Sequence, residues 1–177
     1  MALLVLSVAG SDRPGLTKAL AAAVLSAGGN WLESHLSRLG GLYVGSVLVD
    51  LAEGKVEALR AAVSAVDAAG LEVRIVPAGT GAGESGQAIG GETLEFSVVG
   101  QDRPGIVRQV TAAISDLGAN IESFHTWLST EAHSGAPLFH MAANLRLPSG
   151  LSAGKVQDAL EAISGEIMVD VAVGRAG

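Results

Sequence analysis

This 177-residue sequence predicts an α+β chain made of two copies of a βαββαβ unit. Three observations carry the prediction. The stretch SVAGSDRPG at 7–15 returns as SVVGQDRPG at 97–105. Aligned without gaps, 7–30 and 97–120 agree at 11 of 24 positions, where composition alone gives about two. Finally, apolar runs of strand length alternate with segments whose apolar residues recur every three or four positions, in the same order in both copies.

In the first copy, ALLVLSV (2–8) is a short apolar run, as expected of a buried central strand. A helix is predicted from Pro14 to about Ala27, with Leu16, Leu20, Val24 and Ala27 along one face. WLESHLSR (31–38) reads as a more polar strand, and LYVGSVLVDL (42–51) as a second apolar one reached through a Gly40-Gly41 turn. Val56, Leu59, Val63 and Val66 mark the second helix, and LEVRIV (71–76) closes the unit with Glu72 and Arg74 pointing outward.

The second copy opens with TLEFSVVG (93–100). Ile106, Val110, Ile114 and Leu117 line its first helix, Val156, Leu160 and Ile163 its second, and EIMVDVAV (166–173) is its last strand. Gly54-Lys55-Val56 pairs with Gly154-Lys155-Val156, so this copy is longer by about ten residues, most of them in TEAHSGAP. Insertions belong in turns, which puts a hairpin tip near 130–137.

The order is that of the split βαβ, ferredoxin-like unit, whose first and third strands lie in the middle of an antiparallel sheet with both helices on one face. The apolar strands fall in the middle and the charged ones at the edges. The expected domains are 1–76 and 93–177, joined by the aperiodic, Gly-rich segment 77–92, which reads as a flexible linker. A unit of ~75 residues has a small core, so the two are expected to pack together.

Apolar residues make up 49% of the chain and aromatics 3%, so the cores must be built from small aliphatic side chains. A formal charge of −7, with no run of Lys and Arg, disfavours direct nucleic-acid binding. The absence of Cys removes disulfides, Cys-ligated metal and thiol catalysis. The start MALLVLSVAG has an internal twin at 93–100, which makes it a strand and not a signal sequence. With no apolar run near the ~20 residues of a membrane span, the expectation is a cytoplasmic protein with no membrane partner.

The repeated GSDRPG and GQDRPG turns suit a strand-to-helix junction. Pro14 and Pro104 fit the first helical position, and Asp12 and Asp102 are placed to cap free amides. Gly15 and Gly105 leave the helix start open to a small anion such as a carboxylate. A plain stable turn explains the same residues equally well. Asn30 and Asn120, just after the first helix of each copy, either end the helix with a left-handed backbone or offer a donor and an acceptor to a ligand.

A strand, then DRPG opening a helix, then G-x-N leading into the second strand resembles the ACT domain, a ligand-sensing module that commonly binds amino acids. Two such units, over about 1–76 and 93–173, resemble the glycine cleavage system transcriptional repressor family. The resemblance implies a ligand at an interface between two units, held by the loop before the first helix and the neighbouring unit's strand. Carried over, the contacts come from Asp12, Gly15, Leu16 and Asn30, and from Asp102, Gly105, Ile106 and Asn120. Arg13 and Arg103 either reach the ligand's carboxylate, or face solvent or pair with an acidic neighbour. The resemblance also implies joining through the edge strands 31–38 and 121–128, a homodimer, and indirect action through a protein partner, as in transcriptional control of amino-acid metabolism.

Rival chemistries fit less well. The glycines of 77–92 are followed by a strand, where a phosphate loop needs a helix and a Gly-Lys-Ser/Thr. His35, His125, His133 and His140 lack the spacing of a zinc motif. Glu33 and Glu122 lie on second strands without an obvious acid–base partner. The expectation is therefore no enzyme, no metal and no cofactor. The alternative to a sensor is a ligand-free scaffold that uses its exposed edge strands for oligomerisation or partner docking.

Overall fold

A computed structural model describes residues 1–68, 70–79, 92–131, 134–163 and 167–174. The chain divides into two compact units, Met1–Gly83 and Glu84–Gly177. Of the segment 77–92, residues 80–91 lie outside the described residues.

The first unit runs β1 (Ala2–Ser11), α1 (Leu16–Ser26), β2 (Asn30–Leu39), β3 (Leu42–Leu51), a single 3-10 turn at Glu53–Lys55, α2 (Val56–Asp67) and β4 (Leu71–Pro77). Its sheet order is β2-β3-β1-β4, with every pair antiparallel. The second unit repeats this with β5 (Thr93–Gln101), α3 (Ile106–Asp116), β6 (Asn120–Thr130), β7 (Pro137–Arg146), α4 (Ala153–Glu161) and β8 (Ile167–Gly174), in the order β6-β7-β5-β8. The ferredoxin-like α+β fold read from the sequence is the fold of both units.

Alternation along the central strands explains the layering. Leu4, Leu6 and Val8 of β1 and Val47, Val49 and Leu51 of β3 point to one side, where they meet Leu16, Leu20 and Val24 of α1 and Leu59, Val63 and Val66 of α2. In the second unit Leu94, Phe96 and Val98 join Met141, Ala143 and Leu145 under Ile106, Val110, Ile114, Val156 and Leu160. Each core closes within its own unit. The hairpin tip expected near 130–137 lies there, since β6 ends at Thr130 and β7 begins at Pro137.

Two boundaries at the repeated turn differ from the sequence reading. The first strand runs on to Ser11, because Ala9, Gly10 and Ser11 continue the ladder to Val44, Tyr43 and Leu42. The helix begins at Leu16 and not at Pro14. Gly15 takes a left-handed backbone, φ 95°, which breaks helical geometry between the two; Gly105 does the same at φ 90° before Ile106.

Candidate functional site

Each repeated turn connects the end of a central strand to the start of a helix. Pro14 and Pro104 sit in the turn, and Gly15 and Gly105 occupy the capping position without a side-chain cap. A Cβ added at either glycine would meet nothing within 4 Å, so the backbone angle, and not crowding, demands glycine there.

Asp12 is not a cap. Its Oδ2 lies 3.1 Å from Nε of Arg38, near the end of β2, and this ion pair draws the carboxylate across the sheet edge and away from the helix amides. Leu16 and Ile106 are buried at 7% and 3% exposure, so their side chains belong to the cores. Only backbone groups at those positions remain for a ligand, and the Ile106 amide already donates to the Arg103 carbonyl at 3.3 Å. Arg103 donates through Nη2 to Oε1 of Gln109 at 2.7 Å, while Arg13 is exposed. Asp102 is exposed, and its amide donates to the Pro137 carbonyl at 3.1 Å.

The register reveals neighbours that sequence spacing does not. Gly10 pairs with Tyr43 and Tyr43 with Arg38, which brings Tyr43 and Arg38 beside the first loop. There the Tyr43 and Thr17 hydroxyls share a hydrogen bond of 2.7 Å. In the second unit Gly100 pairs with Phe139 and Phe139 with Leu128, while Val107 aligns with Thr17. The first loop therefore has a polar surround and the second an apolar one.

Asn30 and Asn120 are extended strand residues, both exposed. The helix-ending role considered for them belongs to Gly28 and Gly118, at φ 76° and 72°. Neither Asn shares a site with its own unit's loop. Asn30 pairs with Asp50 and Asp50 with Leu3, whereas the loop follows Ser11. At the usual rise per strand residue, the eight steps from Leu3 to Ser11 span roughly 26 Å. Around Asn120 the structure forms a groove of about 500 Å³, lined by Arg108, Thr111, Ala112, Ile114, Ser115, Ala119, Asn120 and Ile121.

The remaining candidates find separate partners. His35 Nε2 contacts Glu33 Oε1 at 3.0 Å on an exposed strand. Glu122 accepts from Arg146 Nε at 2.9 Å, which makes it half of an ion pair. Trp127 stacks on His140 with ring centres 5.0 Å apart and lies 5.6 Å from His125. His133 is outside the described residues. Among the described residues, no three His, Asp or Glu side chains are grouped to hold a metal ion, and no helix is long and apolar enough to cross a membrane.

Comparison with known proteins follows this geometry. Residues 2–76 match the family model of the ACT domain. A solved structure of an unknown protein from Galdieria sulphuraria has 28% sequence identity and a TM-score of 0.83, covering 98% of this chain and 99% of that one. A second, described as a candidate glycine cleavage system transcriptional repressor, has 17% identity and a TM-score of 0.67, covering 98% of each chain. No curated protein sequence matches the chain.

Proposed function

From an ACT domain at residues 2–76 and a second unit that repeats its fold, we propose that the chain is a regulatory protein that senses an amino acid. Its two ACT domains are 1–76 and 93–177, joined by 77–92. The observation that carries this reading is the duplicated loop: in each unit a left-handed glycine opens an uncapped helix start with nothing over it. Such a start presents backbone amides to a small carboxylate.

The roughly 26 Å between loop and Asn within a unit means that a site using both draws them from two different units. The contacts assigned to the ligand are Asp12, Arg13, Gly15, the Leu16 backbone and Asn30, and Asp102, Arg103, Gly105, the Ile106 backbone and Asn120. Asn supplies both a donor and an acceptor, which suits the ammonium and carboxylate of an amino acid. A homodimer in the cytoplasm supplies the interfaces, and binding there changes how the protein meets a protein partner. The likeness to a candidate glycine cleavage repressor suggests transcriptional control of amino-acid metabolism. A net charge of −7 favours an indirect route over direct nucleic-acid contact. No catalytic role is assigned.

The test is thermal unfolding against the twenty amino acids. A ligand at a hundred times its Kd adds roughly 2.7 kcal/mol, which for a chain of this size raises Tm by several degrees. A rise for one amino acid, lost in Asn30→Ala or Asn120→Ala, supports the sensor. A flat panel moves the reading to a docking scaffold, which a second observation favours: Phe124, Trp127 and Leu128 stand 51%, 44% and 60% exposed on the edge strand β6.

A further inference from the structure

The groove beside Asn120 has a chemistry that the repeated loops do not explain. Arg108, Thr111, Ala112 and Ser115 form one stripe of α3, beside the core stripe Ile106, Val110 and Ile114. Thr111 spends its hydroxyl on the carbonyls of Val107 and Arg108, at 2.9 and 3.3 Å. Among the described residues, the Arg108 guanidinium, the Ser115 hydroxyl and the Asn120 amide have no side-chain hydrogen bond or ion pair. Although the chain carries −7, no Asp or Glu among the described residues lines the groove. Ile121, Ala112 and Ala119 supply an apolar floor above the buried Ile114. The first unit lacks this combination. Its matching stripe is Lys18, Ala21, Ala22 and Leu25, and Trp31 stands in the place of Ile121 and packs against the first core.

We infer that this groove is a binding site for a small carboxylate with a short aliphatic body. Arg108 takes the carboxylate through paired N–H donors, Ser115 and Asn120 orient it, and the floor of Ile121, Ala112 and Ala119 holds the aliphatic part. The site shares Asn120 with the interface reading above but uses neither repeated loop, so shifts at Arg108 and Ser115 against shifts at 12–15 and 102–105, and not an Asn120 variant, tell the two readings apart.

The experiment titrates the full chain with 3-methylbutanoate and follows backbone amide signals by NMR, with 3-methylbutanamide as the uncharged control. The expected result is saturable shifts confined to residues 108–121 with the acid and none with the amide. Arg108→Gln, at an exposed position, should weaken binding about tenfold or more. Ile121→Trp, which copies the first unit, should abolish it while leaving the rest of the spectrum in place.

Equal binding of acid and amide, or an Arg108→Gln affinity equal to that of the wild type, overturns the inference. So does an absence of saturable shifts at 108–121. Shifts at 12–15 or 102–105 alone would overturn it and leave the sensing reading standing. Changes at 108–121 on dilution without any probe would show a second copy covering the groove, and would also overturn it.

Discussion

Gly15 and Gly105 are the residues on which the repeated turn depends, and the reason is conformational. Each holds φ above 90° or at it, with empty space where a side chain would begin. Gly15→Ala should therefore cost about 1–2 kcal/mol of stability through the backbone alone, measured as a lower midpoint of denaturant unfolding with an unchanged slope. An unchanged midpoint would mean that the turn relaxes to another geometry. Asp12 poses a sharper question, because the sequence placed it as a helix cap and the structure pairs it with Arg38. As a partner of Arg38 in an exposed pair, it should show a coupling of about 0.2–1 kcal/mol in a double-mutant cycle of Asp12→Ala and Arg38→Ala. A helix cap would lose about 1 kcal/mol in Asp12→Ala whether or not Arg38 is present. The sequence made Asp12 conspicuous through its repetition but not its partner. Arg38 is reached only through the register of three strands, and a one-residue slip would put it on the other face.

The elements were legible where periodicity and duplication speak together. The apolar runs at 2–8 and 42–51 became the central strands, and the extra residues of the second copy marked the hairpin between β6 and β7. Helix starts were misread by two residues, because Pro at the first helical position is a common signal and the overriding left-handed glycine is not visible as such in a sequence. The separation of Asn30 from its own loop was equally hidden, since it needs the antiparallel register. The edge strand β6 raises its own question. Its residues from Glu122 to Thr130 are all exposed, and three large apolar side chains are among them. Exposed unpaired strand edges of this kind invite pairing. If β6 joins two copies, Phe124→Lys with Leu128→Lys should convert the dimer to a monomer in sedimentation. Stability at low protein concentration should change by no more than about 0.5 kcal/mol, as for other surface substitutions. A wild-type chain that is already monomeric removes the dimer, and a double variant that stays dimeric places the interface elsewhere.

At the scale of the whole molecule, duplication has given two units that share a fold and differ in surroundings. One loop is bordered by Arg38, Tyr43 and Thr17, the other by Leu128, Phe139 and Val107, and Trp31 occupies the position where the second unit keeps Ile121. The two tryptophans, one in each unit, allow the energetics of the halves to be separated. Trp31 packs against the first core, whereas Trp127 stacks on His140 at the surface of the second. Leu20 is fully buried in the first core, and Leu20→Ala should cost about 2–5 kcal/mol there through lost burial and the cavity left behind. Read by Trp31 fluorescence in a Trp127→Phe background, the unfolding midpoint should fall accordingly. Read by Trp127 in a Trp31→Phe background, it should hardly move, because each core closes within its own unit. Equal shifts at both probes would show that the units unfold as one cooperative body. The cost of Leu20→Ala would then reach the groove beside Asn120 as well as the first loop, and ligand occupancy of either unit would stabilise both.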